Sequence, residues 1–285
     1  MNETATRHVT GEQVVARVKS LPPLPQVWHA LDEALRNDTA SSERVVRLIA
    51  SDQGLTATTL KLANSPFYGV SGRVASVRDA VRVVGIQTLW AATVTTTAMA
   101  RFDAAACPGF DMAGSWRHAF STAVCAQFLA EPRGIDPCAA YTAGLLHDIG
   151  TLALATSFPE AFNETLSWAA RHDVPPVDAE RELLGIDHAV VGGLVANHWR
   201  LAPIVADAVR QHHEVPDGPS VTLADVVHLA DSIVHALDVS HAADDLVPPL
   251  TISAWARVAP TMAELEQAFG HVEARLRHLD LGGLQ

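Results

Sequence analysis

Hydrophobic residues recur along this chain at helical spacing and nowhere alternate for long. Pro22, Pro23 and Pro25 break the chain ahead of a predicted helix that runs to about Asp38. Ser41 or Ser42 can cap the next helix, where Val45, Val46, Leu48 and Ile49 form one buried face. Leu55, Thr59 and Leu62 mark another helix face, ended at Asn64-Ser65-Pro66. Ser76 with Asp79 resembles a capping box opening a helix to Val84, which Gly85 stops, and Ile86 to Arg101 reads as one more helix.

The later part of the chain continues the pattern. Trp116 to Leu129 carries Phe120, Val124 and Phe128 on one face. Asp136-Pro137 pairs a capping residue with proline at the first helical position, and the helix it opens is predicted to carry His147 and Asp148. Asp187 caps a helix that Ile186 and Val191 would staple. Pro203 opens a helix whose stripe Val205, Ala208, Val209 leads to His212 and His213, and Asp225 to Leu237 follows. Val247 to Pro249 interrupts the chain before its last amphipathic helices. Strand signals are nearly absent, so the expected fold is all-α.

Composition divides this helical chain in two. Residues 1–106 hold 11 Lys+Arg against 9 Asp+Glu, whereas residues 107–285 hold 9 against 23 and twelve of the 14 histidines. With CPGFD (107–111) at the change, the expected organisation is a frayed start over 1–10, an N-terminal helical lobe over 11–106 and a second helical lobe over 107–285. An acidic, histidine-rich lobe attracts cations and repels a nucleic-acid backbone. The helix pair around Gly85 is therefore read as ordinary packing, and DNA is disfavoured as a partner.

No stretch approaches the ~18 apolar residues of a membrane helix, and the polar start lacks a signal-peptide core, so a cytoplasmic protein without membrane contact is expected. Cys107, Cys125 and Cys138 form no CxxC pair and read as reduced core residues.

The chemistry centres on GLLHDIG (144–150), where His147 and Asp148 lie inside an apolar run. A carboxylate buried there costs several kcal/mol unless it is paired, hydrogen-bonded or bound to a metal. The other polar groups expected to point inward are His118, His188, His212, His213 and Asp231. Imidazole and carboxylate without thiolate suit Fe, Mn, Zn or Ni better than Mg or Ca, and one or two divalent ions are expected. Two ions bridged by Asp148 would supply the chemistry of phosphoester hydrolysis. His172, His198, His228 and His235 are read as surface or packing residues. Serine and cysteine nucleophile motifs, phosphate loops and dinucleotide turns are absent from the sequence.

The ordered pattern H, HD, H, HH, D resembles that of the HD superfamily of metal-dependent phosphohydrolases. LPPLPQVW, IASDQGLTATTLKLANSPFYG and SVRDAVRVVGIQTL in turn resemble the HDOD domain, the HD-related output domain of bacterial signalling proteins, over about residues 15–240. This resemblance implies a two-lobed helical protein, its second lobe similar to HD-GYP cyclic-dinucleotide phosphodiesterases. By analogy His118, His147, Asp148 and Asp231 would hold one ion, and Asp148, His188, His212 and His213 the other, with Asp148 as the candidate catalytic residue.

The resemblance also implies regulation, because HDOD proteins generally lack part of the metal set and serve as regulatory or scaffold modules. Here the full set of histidines and aspartates is present. The enzyme motif HDIGK, however, ends in Thr151, and HHExxDGxGYP becomes HHEVPDGPS. Lysine occurs only at Lys19 and Lys61, which leaves arginines such as Arg181 or Arg210 to meet a phosphate. The expected function is a signalling module that binds a protein partner or ligand and retains a metal site. The alternative is a metal-dependent hydrolase of a nucleotide or cyclic dinucleotide.

Overall fold

The computed structural model describes residues 9–24, 30, 42–64, 74–85, 107–239 and 246–276. Regular structure among them is entirely helical, so the all-α expectation holds. Apart from Ala30, which is helical, the helix expected up to Asp38 and that over 86–101 lie outside the described residues. The chain divides into one unit of Met1–Leu21 with Phe102–His271 and another of Pro22–Arg101 with Val272–Gln285.

In the second of these units, α2 (Ser42–Ala50), α3 (Gln53–Ala63) and α4 (Val77–Val84) pack through the apolar faces the sequence predicts. Val45, Ile49, Leu55 and Val77 form one buried cluster, and Ala63, Val74, Ala80 and Val84 another. Ser76 caps α4 by accepting the Asp79 amide at 3.1 Å. The Asn64 side chain clamps Val74, donating to its carbonyl at 2.7 Å and accepting its amide at 2.9 Å.

The other unit opens with α1 (Gly11–Ser20) and resumes with α5 (Met112–Ala130), α6 (Pro137–Leu146) and α7 (Ile149–Ser157). It continues through α8 (Pro159–His172), α9 (Pro176–Leu184), α10 (His188–His198), α11 (Pro203–Gln211), α12 (Leu223–Ala236) and α13 (Ile252–Val258), and most of α14 (Met262–Leu276). Asp111, Asp136, Asp187 and Thr222 each accept an amide of the first turn they precede, which fixes where α5, α6, α10 and α12 begin. α1 packs on α10, and α5 lies against α6 and α12.

One local expectation is corrected. His147 and Asp148 lie between two helices, not within one: α6 ends at Leu146 and α7 starts at Ile149. Asp148 has φ −96° and ψ 16°, the bridge region where many active-site residues sit. Just after the break the chain lies close against α10. A Cβ at Gly150 would run into the carbonyl oxygen of His188 and come within 2.6 Å of the Gly192 amide nitrogen. Gly144 meets α5 in the same way, with Cα of Ala123 2.9 Å from where its Cβ would be.

These contacts are backbone to backbone, so neither helix can yield by moving a side chain. Gly150→Ala is expected to destabilise the protein by at least ~1–3 kcal/mol, the cost of overpacking, read as a lowered urea midpoint. Gly218→Ala, where nothing lies within 4 Å, is expected to stay within about 0.5 kcal/mol of the parent.

Candidate metal centre

Residues from five helices or their ends gather around Asp148. His118 comes from the first half of α5, His147 from the end of α6, His188 from the first residue of α10, and His212-His213 from the end of α11. Asp231 enters from the middle of α12. All seven residues proposed from sequence are thus brought together. His118, His147, His188, His212 and Asp231 are buried, while His213 and Asp148 keep partial exposure.

The two oxygens of Asp148 face different histidines. Oδ1 lies 3.2 Å from His188 Nε2 and 3.6 Å from His212 Nε2. Oδ2 lies 3.3 Å from His147 Nε2 and 3.9 Å from His118 Nε2. Asp231 Oδ1 completes the second group, 2.9 Å from His118 Nε2 and 3.5 Å from His147 Nε2. His213 Nε2 closes the first, 2.8 Å from His188 Nε2.

The far sides of three rings settle what these nitrogens can offer. His147 Nδ1 donates to the Gly144 carbonyl at 2.7 Å, and His212 Nδ1 to the Val209 carbonyl at 2.7 Å. His188 Nδ1 donates to Glu180 Oε2 at 2.7 Å, and the same oxygen accepts the His188 amide. With Nδ1 carrying a proton, the neutral ring presents a lone pair at Nε2, the tautomer that binds metal. His212 Nε2 and Asp231 Oδ2 are buried without a hydrogen-bond partner. Orphaned buried donors and acceptors are costly, and cations bound within the two groups would give each a partner. The donor set therefore fits a divalent transition metal.

Without a cation, the cluster balances its charge with protons. Burial acts to lower the His147 pKa, but the carboxylates of Asp148 and Asp231 outweigh it and hold it up at about 10. Burial is likewise overcome at His188, held well above the ordinary value by Glu180 and Asp148. His212 is pushed down to about 3 by burial and by the charge on His147. Burial would raise Asp148 and Asp231, yet their histidine partners hold both well below the usual carboxylate range. A metal ion would replace those protons as the positive charge.

The sequence reading missed two residues. His235, assigned to surface or packing, joins the centre: its Nε2 is 3.3 Å from Asp231 Oδ1, one turn along α12. A signal was present, since position i+4 shares a helix face with Asp231. Glu180, which orients His188, carried none, because it lies eight residues before it on a different helix and only tertiary packing brings the two together. His228 does pack as expected, donating from Nδ1 to the His212 carbonyl at 2.6 Å and accepting the Thr251 amide at 2.9 Å. Of the arginines named for phosphate, Arg181 is engaged elsewhere, and neither it nor Arg210 is among the described residues lining the cavity. Arg181 bonds Asp187 at 2.7 Å and Glu214 at 2.8 Å, and the Arg210 stem lies against Gly193.

A cavity of about 210 Å³ opens onto the centre. Asp148, His188, His213 and Asp231 are at its floor, and Phe110, Phe162, Leu166, Val177 and Pro248 contribute apolar wall. Thr151 lines it where the enzyme motif would have lysine. No lysine or arginine occurs among its described lining residues.

The HDOD domain matches residues 21–215, more than half of the chain. The chain belongs to the HDOD family. An uncharacterised protein of Treponema pallidum (strain Nichols) is 26% identical over 229 residues, covering 79% of this HDOD chain and 44% of its own length. The chain thus spans less than half of that relative. A crystal structure from Shewanella amazonensis SB2B, provisionally named a phosphohydrolase, is similar at TM-score 0.69 and 25% identity over 94% of this chain and 98% of that one. An HDOD domain protein of unknown function from Geobacter sulfurreducens shares the all-α fold at TM-score 0.69 and 24% identity, over 94% and 90% of the two chains.

The segment after the HDOD match braces the His212-His213 end. Arg257 on α13 pairs with the fully buried carboxylate of Asp225 at 2.5 Å and donates to the Pro216 carbonyl at 3.2 Å. Ser253 donates to Asp217 at 3.0 Å. Arg257→Ala removes one partner of Asp225 while the Thr222 amide and hydroxyl keep donating to it, and is expected to cost ~1–3 kcal/mol, measured by chemical denaturation.

Proposed function

We propose that this chain is a signalling module of the HDOD family in which the histidine-aspartate centre binds one or two divalent cations, with Fe, Mn and Zn the chemically suited ions. The observation that carries this reading is Asp148, with one oxygen directed to His188 and His212 and the other to His147 and His118. A carboxylate placed between imidazoles, three of which have their Nδ1 protons pinned outward, is what a cation centre needs. The apolar cavity above it would admit a small ligand, and the output would pass to a protein partner. The lack of lysine and arginine on the described cavity wall favours binding over phosphoester turnover.

A second reading, a metal-dependent hydrolase of a nucleotide or cyclic dinucleotide, is favoured by one observation: the cavity reaches Asp148 directly. Bound metal would there supply both charge neutralisation and water activation. Asp148 would be the residue that positions the ions.

The module reading expects metal-stripped protein to retain Mn²⁺ in equilibrium dialysis, and Asp148→Ala to lose it with its helical circular dichroism intact. Glu180→Ala, which frees His188 to reorient, is expected to weaken Mn²⁺ about 10- to 100-fold. No turnover of bis(p-nitrophenyl) phosphate by the Mn²⁺-loaded protein is expected. Turnover that Asp148→Ala abolishes would replace the module reading with the hydrolase, and failure to retain Mn²⁺ would remove both.

A further inference from the structure

The pattern by which the HD residues were recognised stops at Asp231, but the donors do not. Asp231 and His235 lie one turn apart on the same face of α12. His235 reaches Asp231 Oδ1 at 3.3 Å, and its ring packs against that of His118 with centroids 4.2 Å apart. His118, Asp231 and His235 each offer a ligand atom within 4.8 Å of the others, as do His188, His212 and His213 at the opposite end. The centre therefore has a three-donor group on each side of Asp148.

Hydrogen bonding alone accounts poorly for the Asp231 end. Three imidazole nitrogens crowd Oδ1, those of His118 at 2.9 Å, His235 at 3.3 Å and His147 at 3.5 Å. One carboxylate oxygen has two lone pairs and cannot serve three donors well. Meanwhile Oδ2 of the same group is buried with no partner at all. Nitrogens gathered on one side of a carboxylate whose other oxygen is idle are arranged as a ligand shell, with the cation as the common partner. His235 also lines the cavity, which gives that end a route to solvent.

We infer that His235 is a direct cation ligand, supplying the Asp231 end of the centre with a nitrogen donor beyond the HD pattern. The inference rests on the metal reading above and extends it to a residue that reading does not need. The alternative is a positioning role, in which His235 only donates a hydrogen bond to Asp231. The two roles separate by chemistry: glutamine donates a hydrogen bond but is a poor ligand, whereas glutamate is a good ligand that donates none at neutral pH.

The test is a Co²⁺ titration of metal-stripped full chain, followed by visible absorbance and by elemental analysis after dialysis, with circular dichroism confirming the fold. His235→Gln is expected to weaken Co²⁺ binding at least about tenfold and to shift the visible band as a nitrogen donor is lost. His235→Glu is expected to recover most of that affinity. Co²⁺ binding by His235→Gln equal to that of the parent overturns the ligand role while leaving the metal reading intact. Loss in both folded variants likewise overturns it, since a carboxylate should replace the donor. A parent chain that binds no Co²⁺ overturns the metal reading and this inference together.

Discussion

The arrangement of the histidine-aspartate centre depends on the carboxylate of Asp148, reached from four helices and faced by imidazoles on both of its oxygens. A carboxylate so placed is tolerable only when positive charge stands opposite it, whether as protons on His147 and His188 or as a metal ion. The packing serves that arrangement. Gly150 lets α7 touch α10 so that His188 can reach Asp148, and Gly144 lets α6 touch α5 so that His118 and His147 meet. The ligands' outer nitrogens are then held by Gly144, Val209 and Glu180, so that they stay oriented whether or not a cation is present.

The helical content was legible because most of it is governed by local rules. Capping at Ser76, Asp136 and Asp187 and the proline openings at Pro137 and Pro203 fall where the residue types demand. The seven clustered residues could be singled out for a different reason: each is a polar group beside apolar positions, and burial there is stable only when such groups satisfy one another or share a cation. What the sequence hid depends on tertiary contact. The break at His147-Asp148 has no proline beside it, and the close approach of α10 to Gly150 that follows it is a tertiary contact. Glu180 reveals its role only when α9 brings it to His188, and His235 was misread although its spacing from Asp231 offered the clue.

Family membership and site chemistry pull the functional reading in two directions. HDOD membership points to signalling, whereas the complete donor set and the floor of the cavity are those expected of a hydrolase. The cavity wall tips the balance. A phosphoester arriving here would find Thr151 and apolar side chains, with Arg181 committed to Asp187 and Glu214. Among the described lining residues no lysine or arginine would meet its negative charge.

That account stands or falls on whether the histidine-aspartate centre is a cation centre. The most direct measurement is elemental analysis of the full chain purified without chelator or added metal. A transition metal in stoichiometric amount with the chain is the predicted result. A folded chain that emerges free of metal, and takes up none when Fe, Mn or Zn is supplied, would contradict the account and leave the cluster as a proton-balanced core.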